Sequence, residues 1–189
     1  MTLRLQKRPL DDVKALEKLV VSNAEALEPE VRIIDARLVL GDATIDLVGV
    51  DPEGGLTLIA LGITADGNMI LRTLGAFSWA VDDPMAVKQR YPAGNIDGGR
   101  VPRVMFIAER LPEVFRRQVR QLDVPVIDCV EVRHFDAGRT TAVSFEVVER
   151  IRRDGAAAVA TRPRDGAAAV TPDATADVSP TWRQFFPRA

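Results

Sequence analysis

The stretch IDLVGVDPEGGLTLIALG, residues 45–62, holds one acid in an otherwise apolar run ahead of a tight turn. Strand alternation sets that acid, Asp46, toward Ala60 and Gly62, neither of which can answer its charge. A second acid, Glu17, stands four residues after Val13 and three before Val20, on or beside an apolar helical stripe. A carboxylate in such a place needs a cation or hydrogen-bond donors, and Arg72 and Lys18 are candidates to serve Asp46. The single cysteine, Cys129, and the single histidine, His134, could in principle form a nucleophile–base dyad. Five residues along one strand, however, put them on opposite faces. With one of each, a disulfide framework or a Cys/His zinc site within one chain is excluded. Arg116, Arg117 and Arg120 share a helix face that could meet phosphate, but Glu113 and Asp123 flank them, and a solvated face is the simpler reading. No GxGxxG or GxxxxGK[ST] pattern occurs.

The elements that must position these groups are legible from periodicity. Residues 11–27 predict an amphipathic helix, with Asp11 as its cap and Val13, Leu16, Val20, Ala24 and Leu27 on its apolar stripe. Strands follow at 31–40, 44–50 and 56–63, the last two joined by DPEGG, with Pro at the second turn position and Gly where φ must be positive. Residues 66–81 and the segment PMAVKQRY predict helices. Residues 101–108 predict a buried strand, PEVFRRQVRQLD a helix, VPVIDCVEVRHF a strand, and 140–148 a last strand that closes the sheet.

In this order of elements, and in the hairpin itself, the chain resembles the PD-(D/E)XK, or restriction-endonuclease-like, superfamily, in particular the nuclease domain of NucS-type endonucleases. The family's hairpin runs I-D-L-L-x-x-D-x-x-G-x-L-x-x-I-E-L-K, and IDLVGVDPEGGLTLI follows it to the last three positions. There Ala60-Leu61-Gly62 stands where the family has Glu-any-Lys. The resemblance covers residues 10 to about 135 and includes RVPRVMFIAERLPEVFRRQVRQLDVPVIDCVEVRHF. It implies an α/β, three-layer fold with a central mixed β-sheet flanked by helices. It also implies a vestigial site at Glu17, Asp46, Ala60 and Gly62, with no catalytic set intact. Glu17 and Asp46 alone could hold Mg²⁺ or Mn²⁺ only weakly, because such an ion wants several oxygen ligands. Arg72 and Ala76 stand where relatives often carry Gln and Tyr, and only the following Trp79 remains.

The totals fit this reading. At 189 residues, 47% hydrophobic and with net charge −2, the chain suits one domain plus a tail and carries no global basic field. Of its 25 basic residues 21 are Arg, which reads as coding bias toward Arg and Ala. Residues 1–150 are expected to form the domain. Residues 151–178, where RDGAAAV occurs twice, are expected to be a flexible linker. Residues 179–189 are expected to be an aromatic anchor, with Trp182, Phe185 and Phe186 at helical spacing for a partner or for the domain itself. No leader or apolar span is seen, so a cytoplasmic protein is expected. The functional expectation is a catalytically inactive nuclease-fold protein that needs no cofactor and binds a protein partner or itself. Nucleic acid is a second candidate partner, with Arg72, Arg116, Arg117 and Arg120 as phosphate contacts. The alternatives are a divalent-metal-dependent DNA endonuclease with displaced residues, and a structural subunit of an oligomer.

Overall fold

A computed structural model describes residues 6–40, 43–137 and 140–153. Their elements run β1 (Gln6–Lys7), α1 (Val13–Ser22), α2 (Ala24–Leu27), β2 (Arg32–Leu40), β3 (Ala43–Val50), β4 (Leu56–Thr64), α3 (Gly67–Asp82), α4 (Pro84–Arg90), β5 (Arg103–Arg110), α5 (Glu113–Val119), β6 (Val126–Ala137) and β7 (Thr140–Arg152). The expected long first helix is broken at Asn23, whose side-chain amide donates to the Leu19 carbonyl at 2.7 Å. Its cap is Asp12, one residue later than expected, which accepts the Ala15 N–H at 2.7 Å.

These strands form one mixed sheet, ordered β1-β6-β5-β4-β3-β2, with β7 on the other side of β6. The meander β2–β3–β4 is antiparallel, whereas β4–β5 and β5–β6 are parallel, with α3, α4 and α5 in the crossovers. The turn after β3 closes as expected: Gly54 has φ +82°, and Asp51 accepts the Gly55 N–H at 2.6 Å. A central mixed sheet flanked by helices is the α/β arrangement expected from the sequence.

Each face of the sheet carries its own core. On one, Leu58, Ala60, Val104 and Phe106 pack with Met69, Ala76 and Ala80 of α3, Val87 of α4, and Phe115 and Val119 of α5. On the other, Leu47, Ile59, Leu61, Met105 and Ile107 pack with Leu16 and Val20 of α1. Helices on both faces make the three layers. No helix among the described residues is long and apolar enough to cross a membrane.

One expectation needs revision. The linker was expected from residue 151, but β7 continues to Arg152. The Arg153 N–H donates to the Pro125 carbonyl at 2.9 Å, and its guanidinium donates to the carbonyls of Val124 and Arg120 at 2.7 and 2.8 Å. The arginines of RIRR, residues 150–153, are thus tied to β6 and to the segment before it. The rest of the expected linker and the aromatic residues Trp182, Phe185 and Phe186 lie outside the described residues.

Candidate functional site

Asp46 sits where β3 parts from β4. The pairing runs from Val50↔Leu56 to Leu47↔Ile59 and stops there; continued, it would set Asp46 against Ala60 and Ile45 against Leu61. Instead the Asp46 carboxylate reaches across the gap. Its Oδ2 accepts the Leu61 N–H at 2.6 Å and an Nη1–H of Arg72 at 2.5 Å. Arg72, from α3, also donates through Nη2 to the Leu61 carbonyl at 2.7 Å. Both backbone groups of Leu61 that β3 no longer meets are therefore satisfied by one side-chain pair, which answers a need that every buried backbone group has. The pair is only partly open to solvent, with side-chain exposures of 22% for Asp46 and 27% for Arg72. Of the two cations considered for Asp46, Arg72 is the one that the fold supplies.

Glu17 is carried by the helix on the other side of the sheet. Its helix, α1, covers the face lined by Leu47, Ile59 and Leu61, whereas Ala60 belongs to the face covered by α3. A Cβ at Gly62 would lie 3.4 Å from Met69 Sδ, also on α3. Ala60 and Gly62 thus face the layer of α3, while the helix that carries Glu17 covers the other face of the sheet. Nor do the small residues leave a hole, because Ala60 is fully buried and Met69 closes the space over Gly62.

The Glu17 carboxylate is held by both arms of one guanidinium, Arg37 Nε at 3.2 Å and Nη2 at 3.4 Å. Arg37 falls between the pairs Ala36↔Leu47 and Leu38↔Ile45, so its register position faces Asp46. It has φ +57°, a left-handed conformation that costs a non-glycine residue about 1–2 kcal/mol. The row across β2, β3 and β4 is therefore irregular on both sides of Asp46, and Asp46 and Glu17 of α1 meet different arginines. Among the described residues they share no hydrogen-bond or ion-pair partner.

A divalent metal, which the resemblance implies, can be tested against these groups. A hard cation wants several free oxygens in near-octahedral array. Here Asp46 Oδ2 and the Leu61 carbonyl already face a guanidinium, Glu17 faces another, and positions 60 and 62 carry no ligand or amine. No group of three or more His, Cys, Asp or Glu side chains gathers for a metal among the described residues. The residues present do not fit the metal.

The other candidates are placed as follows. Arg116 pairs with Glu113 at 2.5 Å, and Arg120 bridges Glu113 at 3.0 Å and Glu149 of β7 at 2.7 Å. The hydrogen bond from Arg120 is the main cause that lowers the pKa of both glutamates. Arg117 is exposed and makes no ion pair among the described residues. The arginine-rich face is thus largely internally neutralised. Cys129 is fully buried in the α3–α5 core, and burial pushes its thiol pKa up to about 12. His134 pairs in register with Val143, whose side chain packs on the α1 side of the sheet, so the two make no dyad.

Sequence reading passed over Asp128. It is 0% exposed on β6 and is held by Arg103 of β5 (Nε, 2.6 Å) and by Arg150 (3.1 Å) and Arg152 (2.9 Å) of β7. Glu28, the C-cap of α2, takes the remaining arms of Arg103 at 2.6 and 2.8 Å. Burial alone would lower the Arg103 pKa, but the Glu28 hydrogen bond and the charges of Asp128 and Glu28 outweigh it and raise it. The signal was present: Asp128 interrupts the apolar run VPVIDCV as Asp46 interrupts its own.

No protein-family model and no curated protein matches this sequence. Among solved structures the chain is similar to "crystal structure of a repair endonuclease from Pyrococcus abyssi", at 17% identity and TM-score 0.44, over 66% of this chain and 48% of that one. It is similar to "Structure of EndoMS-dsDNA2 complex" at 15% identity and TM-score 0.42, over 56% of this chain and 39% of that one. A third likeness is to "The structure of Pyrococcus Furiosus SfsA in complex with Ca2+", at 11% identity and TM-score 0.38, over 74% and 62%. The chain thus spans less than half the length of the two endonuclease chains and somewhat less than two thirds of the third.

Proposed function

We propose that this chain is a catalytically inactive nuclease-fold protein that serves as a binding platform, foremost for a protein partner. The observation that carries the reading is the fate of the hairpin acids: Asp46 and Glu17 are each held by an arginine of the same chain. Metal-assisted hydrolysis needs an ion to activate a water and to stabilise charge on the phosphate, and a carboxylate already neutralised by a guanidinium is a poor ligand for it. Arginine cannot replace a general base, since it stays protonated. The largely neutralised arginine face on α5 supports a protein partner ahead of nucleic acid.

The test is incubation of linear, mismatched and branched DNA with the full chain in Mg²⁺ and in Mn²⁺, beside Asp46→Ala. No cleavage above background is expected from either protein. Cleavage that disappears in the variant would overturn the reading in favour of a metal-dependent endonuclease.

A further inference from the structure

Asp46 Oδ2 and the Leu61 carbonyl oxygen come from adjacent strands, and Arg72 reaches both, through Nη1 at 2.5 Å and Nη2 at 2.7 Å. One positive group bridging a carboxylate oxygen and a backbone carbonyl oxygen stands in the relation to them that a bound cation would. The bridge is also tied to the fold. Leu61 lies two residues past the end of the β3–β4 ladder, and its N–H goes to the same Oδ2 that Arg72 holds. Asp46, Leu61 and Arg72 therefore form a closed ring of three hydrogen bonds spanning β3, β4 and α3.

We infer that Arg72 is the resident cation of this position: its guanidinium keeps divalent ions off Asp46 and the Leu61 carbonyl, and latches α3 to the parted strands. The inference rests on the reading of the site as metal-free and adds the agent that keeps it so. Guanidinium is suited to the task, being permanently charged, planar and able to serve two acceptors at once. Without it, a carboxylate and a carbonyl oxygen would remain side by side and partly shielded, two of the several oxygens a hard divalent cation takes, with water to supply the rest.

The decisive comparison uses Mn²⁺ alone with the full-length chain, followed by the free-ion electron paramagnetic resonance signal and by the shift of the thermal unfolding midpoint. Wild type should show no Mn²⁺ binding that Asp46→Asn removes. Arg72→Met, which keeps the aliphatic stem and removes the charge, should bind one Mn²⁺ per chain at least tenfold more tightly than wild type. It should also gain in midpoint with Mn²⁺, and Arg72→Met/Asp46→Asn should lose both effects. Arg72→Lys, which keeps a cation, should bind none. Should Arg72→Met prove unfolded on its own, recovery of its circular dichroism on adding Mn²⁺ supports the inference, and failure to recover overturns it. Equal Mn²⁺ affinity in wild type and a folded Arg72→Met also overturns it. DNA cleavage that survives Asp46→Ala would sink the inactive reading while leaving this comparison intact. A failed Mn²⁺ comparison would leave that reading standing on Ala60 and Gly62.

Discussion

Asp46 shows how one side chain can be retained for a reason other than reactivity. Its carboxylate replaces part of a strand ladder, so removing it strands the Leu61 N–H and the Arg72 charge together. Asp46→Ala should lower unfolding free energy by about 1–3 kcal/mol, since an orphaned buried donor costs that much. The Leu61 amide should exchange with solvent measurably faster in that variant, which hydrogen-exchange NMR would register. Cys129 gives a prediction of opposite character. Its thiol pKa rises from 9.0 to about 12 on folding, chiefly through burial. The unfolded chain therefore loses this proton first, and the contribution to stability is full below about pH 9 and declines as pH climbs toward 12. Native protein at pH 8 should resist a thiol-specific reagent that labels it at once in denaturant.

At the scale of elements, β2 is shaped by its neighbours more than by its own sequence. RIIDARLVL is an ordinary strand pattern, and nothing in it announces that Arg37 will turn left-handed. The strand context holds that backbone, and its guanidinium also meets Glu17 on α1. Arg37→Ala should keep the strained backbone and lose the ion pair, while Arg37→Gly loses the pair and relieves the strain. Chemical denaturation should find the glycine variant more stable than the alanine variant by about 1 kcal/mol. A reversed order would mean that the backbone is not strained there. Helix 11–27 was legible in extent because its apolar spacing is helical throughout. The break at Asn23 was not, since Asn is tolerated inside a helix and only its bond to Leu19 marks the interruption.

For the whole molecule, the strongest tie is Asp128 with its three arginines. It joins β5, β6, β7 and, through Glu28, the end of α2, which no apolar contact does alone. Replacing a buried, paired carboxylate with a neutral group leaves several cations without an answer. Asp128→Asn should therefore cost about 3–5 kcal/mol and shift the urea midpoint accordingly. The same tie reaches into the last described strand, β7. Stopping the chain after Val147 removes Glu149, Arg150 and Arg152 and uncovers Val126, Ile127, Asp128 and Cys129 of β6, so cooperative thermal unfolding should be lost. A cooperative transition in that truncation would show the last turn of sheet to be dispensable.

What the sequence determined by itself was the order and type of the elements, because strand and helix periodicities are local and each apolar face is written in its own segment. It also determined that positions 60 and 62 hold neither acid nor amine, since chemistry absent from the chain cannot be folded into it. The tertiary structure alone decided which cation met which acid. Arg72 is 26 residues from Asp46, and Arg37 is 20 from Glu17. Such pairings depend on the layer each helix covers and on where β3 leaves β4. Those follow from packing across the sheet, which no local pattern encodes.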